Sequence, residues 1–438
     1  MRSDPRPGQR RGPRRRVAKV FALGTALVLA AAACSGKGGG PADQEVVLEG
    51  VDDGTTLTMW TRAATEAQSQ ALVDAYNASH ENQVELTVIP TDDYQTRVGT
   101  AAGNQELPDL FALDVVFAPN FTTAGAYLDI TDRIDALDFA DALAPSHIEV
   151  GTVDGRKYLV PHTHDLSVLF YNKDLYEQAG LDPEKPPTTL AEFAEQARAV
   201  DALGGDVNGT FFGGNCGGCF VFTWWPTIWA EGAEVMNEGG TESLLDSPEA
   251  LEIYSTWRGL VEDDVVAPGH NEETGATWVS YFPEGNIGVM PMPSTMLGQM
   301  PEDMNVGVAP IPGLTGGQST FVGGDSIGIG ANSEHPNQAW DFLRWSLEEE
   351  QQVGLLAANG DVMARTDLAD NEYYATNPNA VIMNDLVAVG RTPYSLNFGQ
   401  TFNDPQGPWL PLVREAVYGD ANADLTALND DVTASLGS

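Results

Sequence analysis

Between Thr56 and Asp114 the hydrophobic period switches back and forth between two and 3.6, and this switching limits the fold more than any other feature. Thr56-Leu57-Thr58-Met59-Trp60 alternates as a strand does, and residues 63–78 carry Ala67, Ala71, Leu72, Ala75 and Tyr76 at helical spacing. Val84-Glu85-Leu86-Thr87-Val88-Ile89 predicts a second strand, and residues 93–103 a second helix that stops near Gly103. Pro108 to Leu113 reads as a third strand ending at Asp114. Alternation of this kind predicts a mostly parallel sheet with helices on both faces. Ligands of such sheets sit at the C-terminal strand ends, which puts Trp60, Thr61 and Asp114 on one rim.

A second block follows. Residues 155–161 and 166–171 read as two strands, and Thr188 or Thr189 caps a helix running to about Leu203. The glycine-rich stretch 204–219 reads as a loop. Residues 247–263 and 334–358 are expected helices, residues 287–290 and 327–330 short strands, and Pro310-Ile311-Pro312-Gly313 a crossover between blocks.

The start of the chain places the rest outside the cytoplasm. Arg10, Arg11, Arg14, Arg15, Arg16 and Lys19 precede an uncharged run, Val20 to Ala33, that ends in small residues before Cys34. Charged start, short apolar middle and small residues form the layout of a secretory signal. A spanning helix needs about 20 apolar residues, so this run is too short to remain as an anchor. Small residues followed by Cys resemble the bacterial lipobox, with Ala31 where that pattern prefers Leu. The expectation is a signal peptide over 1–33, a lipid-bearing Cys34 and a flexible tether over 34–54. A plain signal cut and the twin-arginine route are the alternatives.

Residues 1–33 hold eight of the 22 basic and one of the 63 acidic residues, so the remaining chain has a formal charge of −48. Such a surface repels nucleic acid and disfavours anionic ligands or contact with anionic lipid other than through the anchor. Of the three cysteines, Cys216 and Cys219 remain to be placed. Outside the cell a short structural disulfide is the expected state, with a redox pair or half a zinc site as alternatives. No second pair completes a four-thiolate metal site.

Several later segments, taken in order, carry a resemblance. Asp165-Leu166-Ser167-Val168-Leu169-Phe170-Tyr171-Asn172-Lys173-Asp174-Leu175-Tyr176 is similar to the most recognisable motif of the extracellular solute-binding proteins of sugar ABC importers. Phe282-Pro283-Glu284-Gly285-Asn286-Ile287-Gly288-Val289-Met290 resembles their later glycine-containing strand. Gly323 to Ile329, followed by His335 to Leu343, resembles a third block. The resemblance covers roughly residues 55–420. It implies an α/β, two-lobed periplasmic-binding-protein-like fold with a hinge, a ligand cleft between the lobes, and closure by hinge motion before docking on a permease. The expected lobes are residues 55–163 with 320–365, and 164–319 with 366–438. One departure is the stretch Pro291 to Met296, which lacks the aromatic that often follows this strand in the family.

A sugar pocket combines aromatic rings for the C–H face of the sugar with a few placed polar groups for its hydroxyls. The candidates are Trp60, Thr61, Tyr94, Asp114, Asp165, Trp225, Trp278 and Asp325. Trp224 and Trp225 are adjacent and cannot both face one core, so Trp225 is assigned to the cleft. Trp257, Trp340 and Trp345 lie on helical patterns and are read as core. For each Asp the rival role is a cap or turn. His162-Thr163-His164-Asp165 has a metal-binding look, but no third ligand can be identified, so no metal and no cofactor is expected. Hydrolase and phosphate-loop motifs are absent, and no enzymatic activity is expected. The sequence therefore reads as a monomeric carrier of a carbohydrate, an oligosaccharide by its aromatic content, serving an ABC permease. A polyamine-binding protein and a secreted glycoside-processing enzyme are the rivals.

Overall fold

The structure, a computed structural model, describes residues 45–438; the expected signal peptide over 1–33, Cys34 and residues 35–44 lie outside the described residues. In chain order the first elements are β1 (Thr56–Arg62), α1 (Glu66–Ser79), β2 (Gln83–Ile89), α2 (Thr91–Asn104), β3 (Leu110–Asp114), α3 (Ala118–Thr123), α4 (Thr131–Asp135) and α5 (Pro145–Val150). β4 (Thr152–Val153), β5 (Arg156–Lys157), β6 (Val160–Asn172), α6 (Lys173–Gln178), α7 (Leu190–Asp201), α8 (Gly217–Ala230) and α9 (Pro248–Glu262) follow. Then come β7 (Val289–Pro293), β8 (Val306–Ala309), β9 (Ile311–Pro312), β10 (Gln318–Ser319), β11 (Val322–Ile329) and α10 (Pro336–Ser346). The chain ends with α11 (Glu349–Gln351), α12 (Pro378–Val387), α13 (Trp409–Tyr418) and α14 (Thr426–Leu436).

The principal sheet has the order β2-β1-β3-β11-β6-β7, with β8 also pairing β6. β1 is parallel to β2 and β3, while every pairing of β11 and β6 is antiparallel. The expected mostly parallel sheet is therefore corrected to a mixed one. Parallel order needs a helical crossover between strands, and the chain supplies one only up to β3.

The two strands expected over 155–171 merge into a single long strand from Val160 onward. β6 runs unbroken from Val160 to Asn172, and its first half pairs with β11, from Val160↔Ile327 to Leu166↔Val322. From Ser167 onward it pairs with β7 and β8. This strand thus joins the two halves of the sheet, and β11 runs beside it. At their crossing Gly324 has φ +98°, and a Cβ there would lie 2.1 Å from the Thr163 carbonyl oxygen. Only glycine fits that left-handed position.

Residues 45–51, expected to belong to the tether, are docked on α10. The Trp340 indole N–H donates to the Leu48 carbonyl at 2.7 Å, and Asn337 donates to the Glu45 carbonyl at 3.0 Å. The next residues are held by Asn82, whose side-chain oxygen accepts the Asp53 and Thr55 N–H groups.

The expected loop 204–219 gives way to helix at Gly217, with Cys216 as its N-cap. Cys216 and Cys219 are joined in a disulfide. Helix α8 buries 11 of its 14 residues, so it is apolar all round, as a helix inside a large core must be. Trp224 stacks on Trp257 at 4.8 Å, while Trp225 meets the Phe402 ring edge-on at 4.8 Å. The two adjacent indoles point into different parts of the interior.

Candidate functional site

β1 and β3 end side by side, and their last residues, Arg62 and Asp114, face each other with guanidinium and carboxylate 3.3 Å apart. β11 brings Asp325 into register with Asp114. The Arg62 Nε–H donates to Asp325 at 2.6 Å, and the Thr65 hydroxyl donates to the other oxygen of the same carboxylate at 2.7 Å. A buried chain of hydroxyls continues from Thr65 to Thr61, from Thr61 to Ser69, and from Ser69 to His162 Nε2. Asp165, on β6, lies opposite Gly323 and accepts a hydrogen bond from the Thr295 hydroxyl at 3.3 Å.

Charge at this cluster follows from burial and spacing. Burial would lower the Arg62 pKa, but Asp325, Asp114 and Asp165 together hold it above the ordinary guanidinium value. Burial pushes Asp114 up, against the pull of Arg62 and with the help of Asp325. Asp165 is pushed up to about 6, chiefly by burial, with Thr295 and Arg62 opposing and Asp114 adding to it. His162 and His164 are both held down at about 4, chiefly by burial, so they are neutral at pH 7.

A cavity of about 500 Å³ opens beside Arg62 and Asp114. Phe117 supplies its aromatic surface, Tyr94 borders it but is only 1% exposed, and Gly399, Asn403 and Asp404 close it from the C-terminal part of the chain. Phe117 reaches across so closely that a Cβ on Gly399 would lie 2.7 Å from its ring. The Asn120 side-chain amide donates to the Leu396 carbonyl next to this contact. The cavity is of the size that small-molecule sites occupy, and it sits at the C-terminal strand ends, where the sequence places a ligand. A second cavity of about 400 Å³, lined by Trp229, Arg391 and Tyr394, contains no residue from the ends of β1 or β3. A third, of about 430 Å³, is lined by His164, Thr295 and Asp361.

The expected site residues divide into two groups. Asp114 lines the cavity with its side chain 29% exposed, and its charge reaches Asp165 and helps to raise that carboxyl. Tyr94 also lines it, although its hydroxyl is spent on the Trp60 and Ala112 carbonyls. Trp60 is half-buried and has the Arg97 guanidinium over its ring, 4.9 Å from the centroid. Thr61 and Asp325 are 0% exposed and belong to the buried polar network. Trp225, 0% exposed, and Trp278, 7% exposed, lie in hydrophobic clusters rather than on the cavity wall. Trp257 and Trp340 are buried, as expected for core, and Trp345 is partly buried against the same interior.

Arg62 is the residue that sequence reasoning missed. Its signal was available: a cation at the end of a strand is conspicuous in a chain with 22 basic and 63 acidic residues. Among the described residues, no group of three or more His, Cys, Asp or Glu is arranged to hold a metal ion.

Comparison with known proteins agrees with this architecture. The chain is 25% identical over 371 residues to the diacetylchitobiose binding protein DasA of Streptomyces coelicolor, covering 80% of this chain and 83% of that one. It is 23% identical over 352 residues to an arabinooligosaccharide-binding protein of Halalkalibacterium halodurans, covering 76% of each. The crystal structure of a cyclic α-maltosyl-1,6-maltose binding protein from Arthrobacter globiformis superposes with a TM-score of 0.73, at 23% identity, over 88% of this chain and 98% of that one. The fold is thus the two-lobed one of the periplasmic sugar-binding proteins. The model of the bacterial extracellular solute-binding proteins matches residues 61–353, and the chain belongs to that family.

Proposed function

We propose that this chain is the substrate-binding lipoprotein of a carbohydrate ABC importer. It captures a sugar, best an oligosaccharide, between its lobes and passes it to the permease on the outer face of the cell membrane, making and breaking no bond. Lipid on Cys34 is its only hold on the membrane, and it works as a monomer. The lobes are residues 55–163 with 320–365, and 164–319 with 366–438, joined where β6 exchanges β11 for β7.

The observation that carries this reading is the cavity at the ends of β1 and β3, which the 399–404 segment closes from the other side. It combines the half-buried ring of Phe117 with hydrogen-bonding groups from Asp114, Gln95 and Asn403, the mixture a sugar requires. Asp165 is the further carboxylate we assign to ligand contact. The ligands for which the relatives are named, diacetylchitobiose and arabinooligosaccharide, support a saccharide.

Thermal melting of the full chain against sugars, oligosaccharides and polyamines tests the reading. Ligand at a hundredfold excess over Kd adds about 2.7 kcal/mol to the native state. A shift with one saccharide class, and no product formed, is the expected result. A shift confined to polyamines, strongly weakened by salt, would replace the sugar with a cation. Release of product from an oligosaccharide would make the protein an enzyme.

A further inference from the structure

We propose that Asp325 sets the charge selectivity of the cavity: it spends Arg62, leaving a pocket that takes uncharged or amino-bearing saccharides and refuses sugar phosphates and sugar acids. The inference rests on the reading that this cavity holds the ligand.

Arg62 is the one Lys, Arg or His among the residues lining the cavity. A free guanidinium there would be a ready receptor for phosphate or carboxylate, with five donors in a fixed fork. Its Nε–H is instead committed to Asp325 at 2.6 Å, and a terminal nitrogen faces Asp114 at 3.3 Å. Asp325 is wholly buried and does not line the cavity. Drawing Arg62 away to meet an anion would strand that carboxylate in the interior, and an unpaired buried charge is strongly unfavourable.

The rest of the wall reinforces this. Asp114 and Asp404 line the cavity, so Arg62, Asp325, Asp114 and Asp404 leave an excess of negative charge. Ionised carboxylates only accept hydrogen bonds. Sugar hydroxyls and protonated amines supply the matching donors, whereas a phosphate or carboxylate brings like charge to like charge. Such repulsion at a partly buried distance of about 6 Å weakens binding by roughly ten- to a hundredfold.

The test is calorimetric titration of the full chain at low ionic strength with maltose, cellobiose and diacetylchitobiose. Each neutral disaccharide that binds is compared with its 6′-phosphate and its aldonic acid, and diacetylchitobiose with its deacetylated diamine. The expected result is that phosphate and acid bind at least about tenfold more weakly than the parent, while the diamine binds no more weakly than diacetylchitobiose. Asp325→Asn, which removes the buried charge paired with Arg62 and leaves only Asp114 as its ion-pair partner, should narrow the penalty for the anionic forms. Asp404→Asn, an exposed position, should narrow it too, and keeps the test open if the buried substitution does not fold. A phosphate or acid that binds as tightly as its neutral parent overturns the inference while leaving the carrier reading intact. Binding of none of these saccharides, in a chain that melts cooperatively, overturns both.

Discussion

Asp165 should cost the unliganded protein stability, and the cost should titrate. Its carboxyl is pushed from an ordinary value of 3.8 up to about 6 in the folded chain. A group that binds its proton more tightly when folded favours the native state below its unfolded pKa. That advantage fades as the pH rises through the folded value. The difference amounts to about 3 kcal/mol of destabilisation at pH 7.5 and about half of that at pH 5. The wild-type curve alone cannot display it, because His162 and His164 act in the opposite sense. Their folded pKa values, about 4 against 6.5, give stability that is complete above 6.5 and lost as the pH falls toward 4. The informative quantity is the difference between wild type and Asp165→Asn, which leaves both histidines in place. The amide is nearly isosteric and still offers Thr295 an acceptor. Urea unfolding at pH 7.5 should show the variant more stable by up to about 3 kcal/mol, shrinking to about 1.5 at pH 5. A variant less stable than wild type at pH 7.5, or a difference that does not change with pH, would refute the reasoning. The same variant should bind saccharide more weakly if this carboxylate contacts the ligand.

Other consequences can be checked separately. Gly324→Ala places a Cβ against the Thr163 carbonyl at a positive φ and should cost at least about 2 kcal/mol in urea unfolding. Replacing both Cys216 and Cys219 by Ser opens a very short loop and should lower stability by about 2 kcal/mol, read from the same assay under oxidising conditions. Gly399→Val forces Phe117 away from its contact and should hold the cavity open, weakening saccharide affinity several-fold in calorimetry while cooperative melting persists. Cys34→Ala should release the protein from the membrane fraction into the medium, as fractionation and immunoblotting would show.

The elements that local pattern governs were legible in the sequence. β1, α1, β2, α2 and β3 fall where alternating and helical periods place them, and Thr189 caps α7 through the Glu192 N–H. The sheet's mixed order was not legible, because the β3–β11 pairing joins residues some 210 positions apart and has no local signature. The polar run His162 to Asp165 read as lying on a strand or its edge, and it is part of β6. It is strand because Ser69 bonds His162, the Met363 carbonyl bonds His164, and His147 packs on His164 at 4.5 Å. The helix expected over 334–358 is interrupted at Glu348, whose backbone is extended. At the ends of β1 and β3 strand alternation did not give the facing: Thr61 turns inward while Arg62, one residue on, reaches the cavity. Trp225 was assigned to the cleft on the premise of a single core, and α8 instead is enclosed on all sides.

The docking of residues 45–51 on α10 would have a mechanical consequence under the proposal that lipid on Cys34 holds the protein. The strap and the cavity lie at opposite ends of β1, whose seven residues set them about 20 Å apart. Pull on the chain is therefore taken up by Trp340, Asn337 and Asn82, not by the wall that meets the ligand. Only residues 35–44 separate the strap from Cys34, and ten residues reach at most about 35 Å. With the strap docked, the leash is short and the cavity points away from where the chain leaves the body. Peeling residues 45–51 from α10 would lengthen the leash by more than half, so under the proposed anchoring a few hydrogen bonds on α10 would control how freely the molecule could roll its mouth toward the membrane.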